Sequence, residues 1–229
     1  MKSFWGFYDN GIYRVGCNGA TVYIYDSHNK EIAKFKDFPD AYTAEFMPNK
    51  NIIAVKSTAG YIGFYDLDKL TLMKKHIITK IGAQDECFSF SPDGRFFYNI
   101  EKPISSFETQ LGIYETETFD KVNTLFSERK DLSLCQIEFD ESSDNCYVLG
   151  FMRNETEKTF VHGFIGLLNV SDANIADIKI LADEQYKYAY AYKSWEIYGF
   201  TPKSRQWNYK LKNLETITPI SLKDIYNSI

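Results

Sequence analysis

The chain has 229 residues, with 26 Lys and Arg against 31 Asp and Glu, a formal net charge of −5. That length allows one large domain or two small ones, and it can bury a core without covalent staples. The acidic balance argues against a general nucleic-acid binder, which carries a basic footprint. With 18 Phe, 17 Tyr and 3 Trp, 17% of residues are aromatic, which excludes disordered chain and coiled coil and points to β-structure.

The opening Met1-Lys2-Ser3-Phe4-Trp5 lacks the apolar core and cleavage site of a secretory signal. No apolar run reaches the 18 or so residues of a membrane span. A first hairpin is expected at Phe7–Val15, where Asn10-Gly11 supplies the tight-turn residues. Thr21–Asp26 follows as a strand ending in Tyr-Asp, then Glu31–Phe35 after a short polar turn. The plan repeats: a hairpin at Phe46–Val55, a strand at Tyr61–Asp66 and another from Leu70. It returns at Phe90–Asn99, Gln110–Glu115 and Lys121–Leu125, and again at Phe139–Leu149, Phe164–Asn169 and Ile178–Leu181. A fainter copy comprises Tyr188–Tyr198 and Gln206–Leu211. Residues 221–229 suit either a short helix or an extra edge strand.

The third strands align. Val22, Ile62, Leu111 and Ile165 share one position, and Ile24, Phe64, Ile113 and Leu167 fall two residues later on the same strand face. The spacing of about 40 to 54 residues, with four short strands per unit, is that of a repeat array. The Phe90-Ser-Pro-Asp-Gly-Arg95 hairpin and the ends Tyr25-Asp26, Tyr65-Asp66 and Tyr114-Glu115 resemble WD-repeat-like β-propellers. The resemblance is specific to fold and implies an all-β protein, a β-propeller of about five four-stranded antiparallel blades. The Trp-Asp dipeptide and the Gly-His of a typical WD repeat are absent. Expected blades are 1–38, 39–82, 83–130, 131–184 and 185–229, one propeller domain over 1–229. An open arc, or a ring completed by a partner, remains the alternative.

The recurring Asp26, Asp66, Glu115 and Asn169 read as turn caps, whose side-chain oxygens accept backbone N–H groups of the next turn. His28, His76 and His162 show no metal-binding spacing, no nucleophile elbow is present, and no catalytic, metal or cofactor residue is nominated. Cys17, Cys87, Cys135 and Cys146 form no CxxC pair and read as buried free thiols of a cytoplasmic protein. Tyr186, Tyr188, Tyr190 and Tyr192 alternate with small or charged residues, a stripe better suited to packing between blades than to a ligand platform.

The informative asymmetry lies in the loops between second and third strands. They are short in the first two units, at Asn18-Gly-Ala20 and Thr58-Ala-Gly60. They lengthen to Glu101–Gln110 in the third and Arg153–Thr159 in the fourth. Insertions gathered on one face of a repeat array mark a binding face. The expectation is a non-enzymatic protein-interaction module, monomeric, with no nucleic-acid or membrane partner. Its candidate contacts are Lys102, Phe107, Glu108, Arg153, Glu157, Lys158, Lys203 and Arg205. The alternative is a propeller hydrolase or lyase with a carboxylate or metal site at the central axis; a ligand sensor would share that axis.

Overall fold

Short turns specify the hairpins. The computed structural model describes residues 4–78, 88–102, 108–139, 146–154, 159–168 and 178–185. In the first sheet, strands β1 (Gly6–Asp9) and β2 (Tyr13–Cys17) meet at Asn10-Gly11. Asn10 Oδ1 accepts the N–H groups of Ile12 at 3.0 Å and Tyr13 at 2.8 Å, and Gly11 adopts φ 87°, a left-handed conformation that glycine takes without a Cβ penalty. Strands β3 (Val22–Asp26) and β4 (Glu31–Phe35) complete an antiparallel meander. The second sheet repeats it with β5 (Ala41–Phe46), β6 (Ile52–Ser57), β7 (Tyr61–Asp66) and β8 (Thr71–Ile77).

A third meander follows: β9 (Phe88–Phe90), β10 (Phe96–Glu101), β11 (Gln110–Glu115) and β12 (Lys121–Leu125). The fourth is β13 (Leu132–Phe139), β14 (Cys146–Asn154), β15 (Thr159–Leu168) and β16 (Ile178–Gln185). Every pairing is antiparallel between chain neighbours, and no helix occurs among the described residues. The four sheets coincide with the first four expected blades. The fifth segment, apart from Gln185 at the end of β16, lies outside the described residues. So do the tyrosine stripe at 186–192 and residues 221–229.

The described strands fall into two compact units, one carrying β1–β8 and the other β9–β16. In the first, Val15, Cys17, Val22 and Ile24 pack with Phe38 from the connection after β4 and with Ala41, Ile53, Val55 and Tyr65 from the second sheet. Each Val, Ile or Phe among them, taken fully out of water, contributes about 1.5–3 kcal/mol. Aromatic rings fill the wedge: Phe35 stacks on Tyr65 at 4.4 Å between centroids. Gly63 lies under the Phe38 ring, and a Cβ there would stand 2.5 Å from a ring carbon. In the second unit, Tyr98, Ile100, Leu111 and Ile113 pack with Leu134, Ile137, Phe139, Cys146 and Val148. Tyr98 meets Phe139 at 4.9 Å.

The aromatics expected before the hairpins divide. Phe90 and Phe139 are buried and Phe46 packs on a core cluster, but Phe7 is 46% exposed. Cys17 and Cys146 are buried free thiols.

Candidate functional site: a long loop held at both ends

Strand-end acids hold the short turns. Asp26 Oδ1 accepts the N–H groups of His28 and Lys30, both at 2.9 Å. Asp66 Oδ1 accepts those of Asp68 at 3.0 Å and Lys69 at 2.9 Å, and Asp66 Oδ2 pairs with the Lys69 ammonium. Glu115 Oε2 accepts the Thr118 hydroxyl at 3.1 Å. The backbone N–H of Lys30 holds the Asp26 carboxyl below its ordinary range, and the Lys69 side chain does so for Asp66. Asp26 and Asp66 cap turns through backbone N–H groups, as expected, whereas Glu115 accepts a side-chain hydroxyl instead; Asn169 lies outside the described residues.

The junction between second and third strands is where the sheets differ. Pairing places Lys56 opposite Ile62 and Ile100 opposite Leu111. Because Ile62 and Leu111 share one repeat position, Ser57 and Glu101 do as well. In the second sheet Ser57 closes a tight turn: its hydroxyl donates to Pro39 O at 2.6 Å and accepts the Ala59 N–H at 3.0 Å. Gly60 completes it with φ 83°.

In the third sheet that position is a carboxylate only 3% exposed. A buried charge is tolerated only when paired and fully hydrogen-bonded. Glu101 has that set. Gln110 Nε2 donates to Oε2 at 2.8 Å, the Lys121 ammonium to the same oxygen at 2.7 Å, and the Tyr114 hydroxyl to Oε1. Lys121 also stands 5.2 Å from the Tyr114 ring centroid, a favourable cation–π placement. Gly112 leaves the space, since a Cβ there would press on both the Glu101 carboxyl and the Tyr114 ring. Beneath, Phe97 stacks on Tyr114 at 4.9 Å, and Phe90 and Phe119 meet Phe97 edge-on. Asn99, on the same strand face and fully buried, makes no side-chain hydrogen bond among the described residues. This face of β10 thus carries two buried polar groups, one fully paired and one not.

Gln110 is directly opposite Glu101 in the ladder, so the carboxylate ties both loop ends together. A further tie sits beside it. Thr109, 3% exposed, donates its N–H to Leu132 O at 3.4 Å, and its hydroxyl accepts the Leu134 N–H at 2.6 Å. The first sheet uses the same connection with backbone alone: Gly19 and Ala41 exchange two hydrogen bonds of 2.9 Å. In the first and third sheets the second-to-third connection is therefore joined to the first strand of the following sheet.

Of the expected contact residues, Lys102 and Glu108 flank this base and are half-buried. Phe107, Glu157, Lys158, Lys203 and Arg205 lie outside the described residues. Arg153 is not in a loop: it lies on β14 opposite Phe160, just past a register shift that leaves Val161 of β15 as the extra residue. Extended pairing carries both β14 and β15 further than the turn-like composition of 153–159 suggested. Glu101, Gln110, Tyr114 and Lys121 were not singled out from sequence; a lone acid at a strand end, followed by a long insertion, is the available signal. Among the described residues no three side chains of His, Cys, Asp or Glu gather as metal ligands would. No helix among them is long and apolar enough to cross a membrane.

No protein-family model and no curated protein matches the sequence. Solved structures do. The β-propeller domain of Cps50 (Swd1) from Myceliophteria thermophila overlays with TM-score 0.53 and 14% identity, over 76% of this chain and 55% of that one. The fold is a β-propeller. Dihydro-heme d1 dehydrogenase NirN, in complex with DHE, overlays with TM-score 0.56 and 14% identity, over 79% of this chain and 37% of that one. The C-terminal WD40 domain of Sif2 gives TM-score 0.48 and 13% identity, over 59% of this chain and 39% of that one, an overlap too low to argue from. The chain spans less than two thirds of each of these structures. One structural neighbour is named as a dehydrogenase and another only as a β-propeller domain, so the fold alone assigns no activity.

Proposed function

We propose that this propeller is a non-enzymatic protein-interaction module whose binding face is formed by the loops between second and third strands. The observation that carries the reading is the base of the third-blade loop. A buried carboxylate, a buried threonine and a lysine are committed to tying together the chain on either side of the third-blade connection, at Glu101 and at Thr109-Gln110, whereas the second blade makes the same connection with three residues. Long loops are cheap in chain entropy, about 0.6 kcal/mol per doubling of length, so tolerance alone accounts for length but not for a built anchor. A loop whose two ends are fixed on a rigid sheet has less chain freedom to lose on binding.

Lys102, Phe107 and Glu108 on the third blade, with Arg153, Glu157 and Lys158 on the fourth, are the contacts to test; Lys203 and Arg205 are further candidates. The test is quantitative affinity purification with the wild type and with Phe107→Ala plus Arg153→Ala. Specific partners should fall at least about tenfold in recovery, as loss of interface anchors does. Undiminished capture by the folded double variant would contradict this siting. We read the chain as a single cytoplasmic domain acting as a monomer, which sedimentation analysis would check.

A further inference from the structure

Strand β8 closes the second blade on its outer side. It pairs with β7 and with no other described strand, so one row of its backbone N–H and C=O groups forms a sheet edge, a template for strand addition. Two other outer strands, β4 and β12, are five residues long, with one exposed residue in β4 and two in β12. By contrast β8 has seven residues, all exposed except Leu72. Met73 is 55% and Ile77 53% exposed, two of the few large apolar side chains so placed.

Between them runs Lys74-Lys75-His76, and no acidic residue lies on the strand, in a chain whose net charge is −5. The register divides these groups. Lys75 stands opposite Gly63 and turns back onto its own blade, with Nζ 2.6 Å from Asp37 O and 4.6 Å from the Tyr61 ring centroid. Lys74 and His76, opposite Phe64 and Ile62, share the other strand face and are exposed. The ladder shifts register between Phe64 and Tyr65, which leaves Met73 as the extra residue of a bulge. Among the described strands, the regular edge therefore runs from Lys74 to Ile77.

Lysines on an edge ordinarily keep strands apart, and they do so for a second copy of this chain. Antiparallel pairing of β8 with itself would set one basic run against the other, and like charges directly opposite destabilise a sheet. An acidic strand meets the opposite situation. We propose that the β8 edge docks an extended acidic segment of a partner protein, one that alternates acidic and apolar residues and adds to the second blade as an outer strand. This surface is separate from the third-blade loop and stands or falls without it.

The test uses the full chain and a fluorescein-labelled heptapeptide alternating glutamate and valine, read by anisotropy. Binding is expected to weaken as salt rises from about 50 to about 300 mM. Lys74→Glu with His76→Glu should weaken it at least about tenfold while leaving the circular dichroism melt unchanged. A peptide N-methylated at alternate residues keeps its charge but cannot pair, and should not bind. Hydrogen exchange should slow at the amides of Lys74–Ile77 when the plain peptide is bound. Absence of binding at about 1 mM peptide, equal binding by the N-methylated peptide, equal binding to the charge-reversed protein, or protection elsewhere than β8 would each overturn the proposal.

Discussion

The second and third blades solve one problem in two ways. Both must connect their second and third strands, and both put a buried polar side chain at the exit of the second. In the second blade Ser57 bonds to Pro39 O and the Ala59 N–H, and the chain turns back within three residues. In the third, Glu101 gathers Gln110, Tyr114 and Lys121 and carries a long loop. The tyrosines shared by the two blades show the same divergence. Tyr65 donates to Asp37 Oδ2 at 3.0 Å, a carboxylate from the preceding connection, whereas Tyr114 donates to the loop's own anchor. A hydroxyl can close a turn on neighbouring backbone. Holding a loop whose ends must meet across a ladder takes a group that accepts several donors at once.

The contrast is sharpest on removal. Glu101→Ala leaves the Lys121 charge, the Gln110 amide and the Tyr114 hydroxyl without their shared acceptor, and should cost about 3–5 kcal/mol in urea unfolding, the range for breaking a buried pair. Ser57→Ala should cost about 1 kcal/mol. Equal losses would erase the distinction between the blades.

Next in size is close packing. Gly63→Ala drives a methyl into the Phe38 ring and should cost about 1–3 kcal/mol; Gly112→Ala should cost less where the flexible Glu101 carboxyl gives way. Tyr114→Phe and Tyr65→Phe follow, each about 1–2 kcal/mol, with Tyr114 the larger because its acceptor is buried. A larger loss at Tyr65 would reverse the ranking of the two anchors.

The smallest effects are in pH. Asp9, held low by the Arg14 side chain, and Asp131, held low by Arg129, have folded pKa values below their unfolded ones, as do the capping Asp26 and Asp66. Their contribution is present above about pH 4 and is lost as pH falls through the lowered folded values. Thermal unfolding should show a gradual acid decline with no sharp step. At the alkaline end burial, with lesser contributions from Cys146 and Asp93, pushes Tyr98 up to about 12. Its contribution is present below about pH 10 and disappears as pH rises toward the folded value. Tyr98→Phe should flatten that limb.

Repeat and hairpin grammar were legible because they are local. Asn10-Gly11 and Ser91–Arg95 bring their own turn bonds, as Gly94 with φ 70° and the Ser91 hydroxyl accepting the Phe96 N–H show. The alternating apolar residues then dictate which strand face is buried. Glu101 was not legible as an anchor because its donors come from three later positions, aligned only once β10, β11 and β12 pair in register. Arg153 was misplaced for a related reason: composition at 153–159 reads as loop, yet ladder pairing extends β14 through Asn154. The half-exposed Phe7 shows the limit of repeat logic: it shares the pre-hairpin position with Phe90 and Phe139 but packs on Phe4 and Tyr25 at the surface of its own sheet.

The most direct test places a photo-crosslinking residue at position 108, beside the third-blade loop, and separately at position 58, in the second-blade turn, and irradiates living cells. Discrete adducts to another protein from position 108, absent from position 58 and reduced by Glu101→Gln in folded protein, are the expected result. Adducts equal at both positions, or unchanged by loss of the anchor charge, would contradict a binding face built on the loop that Glu101 holds.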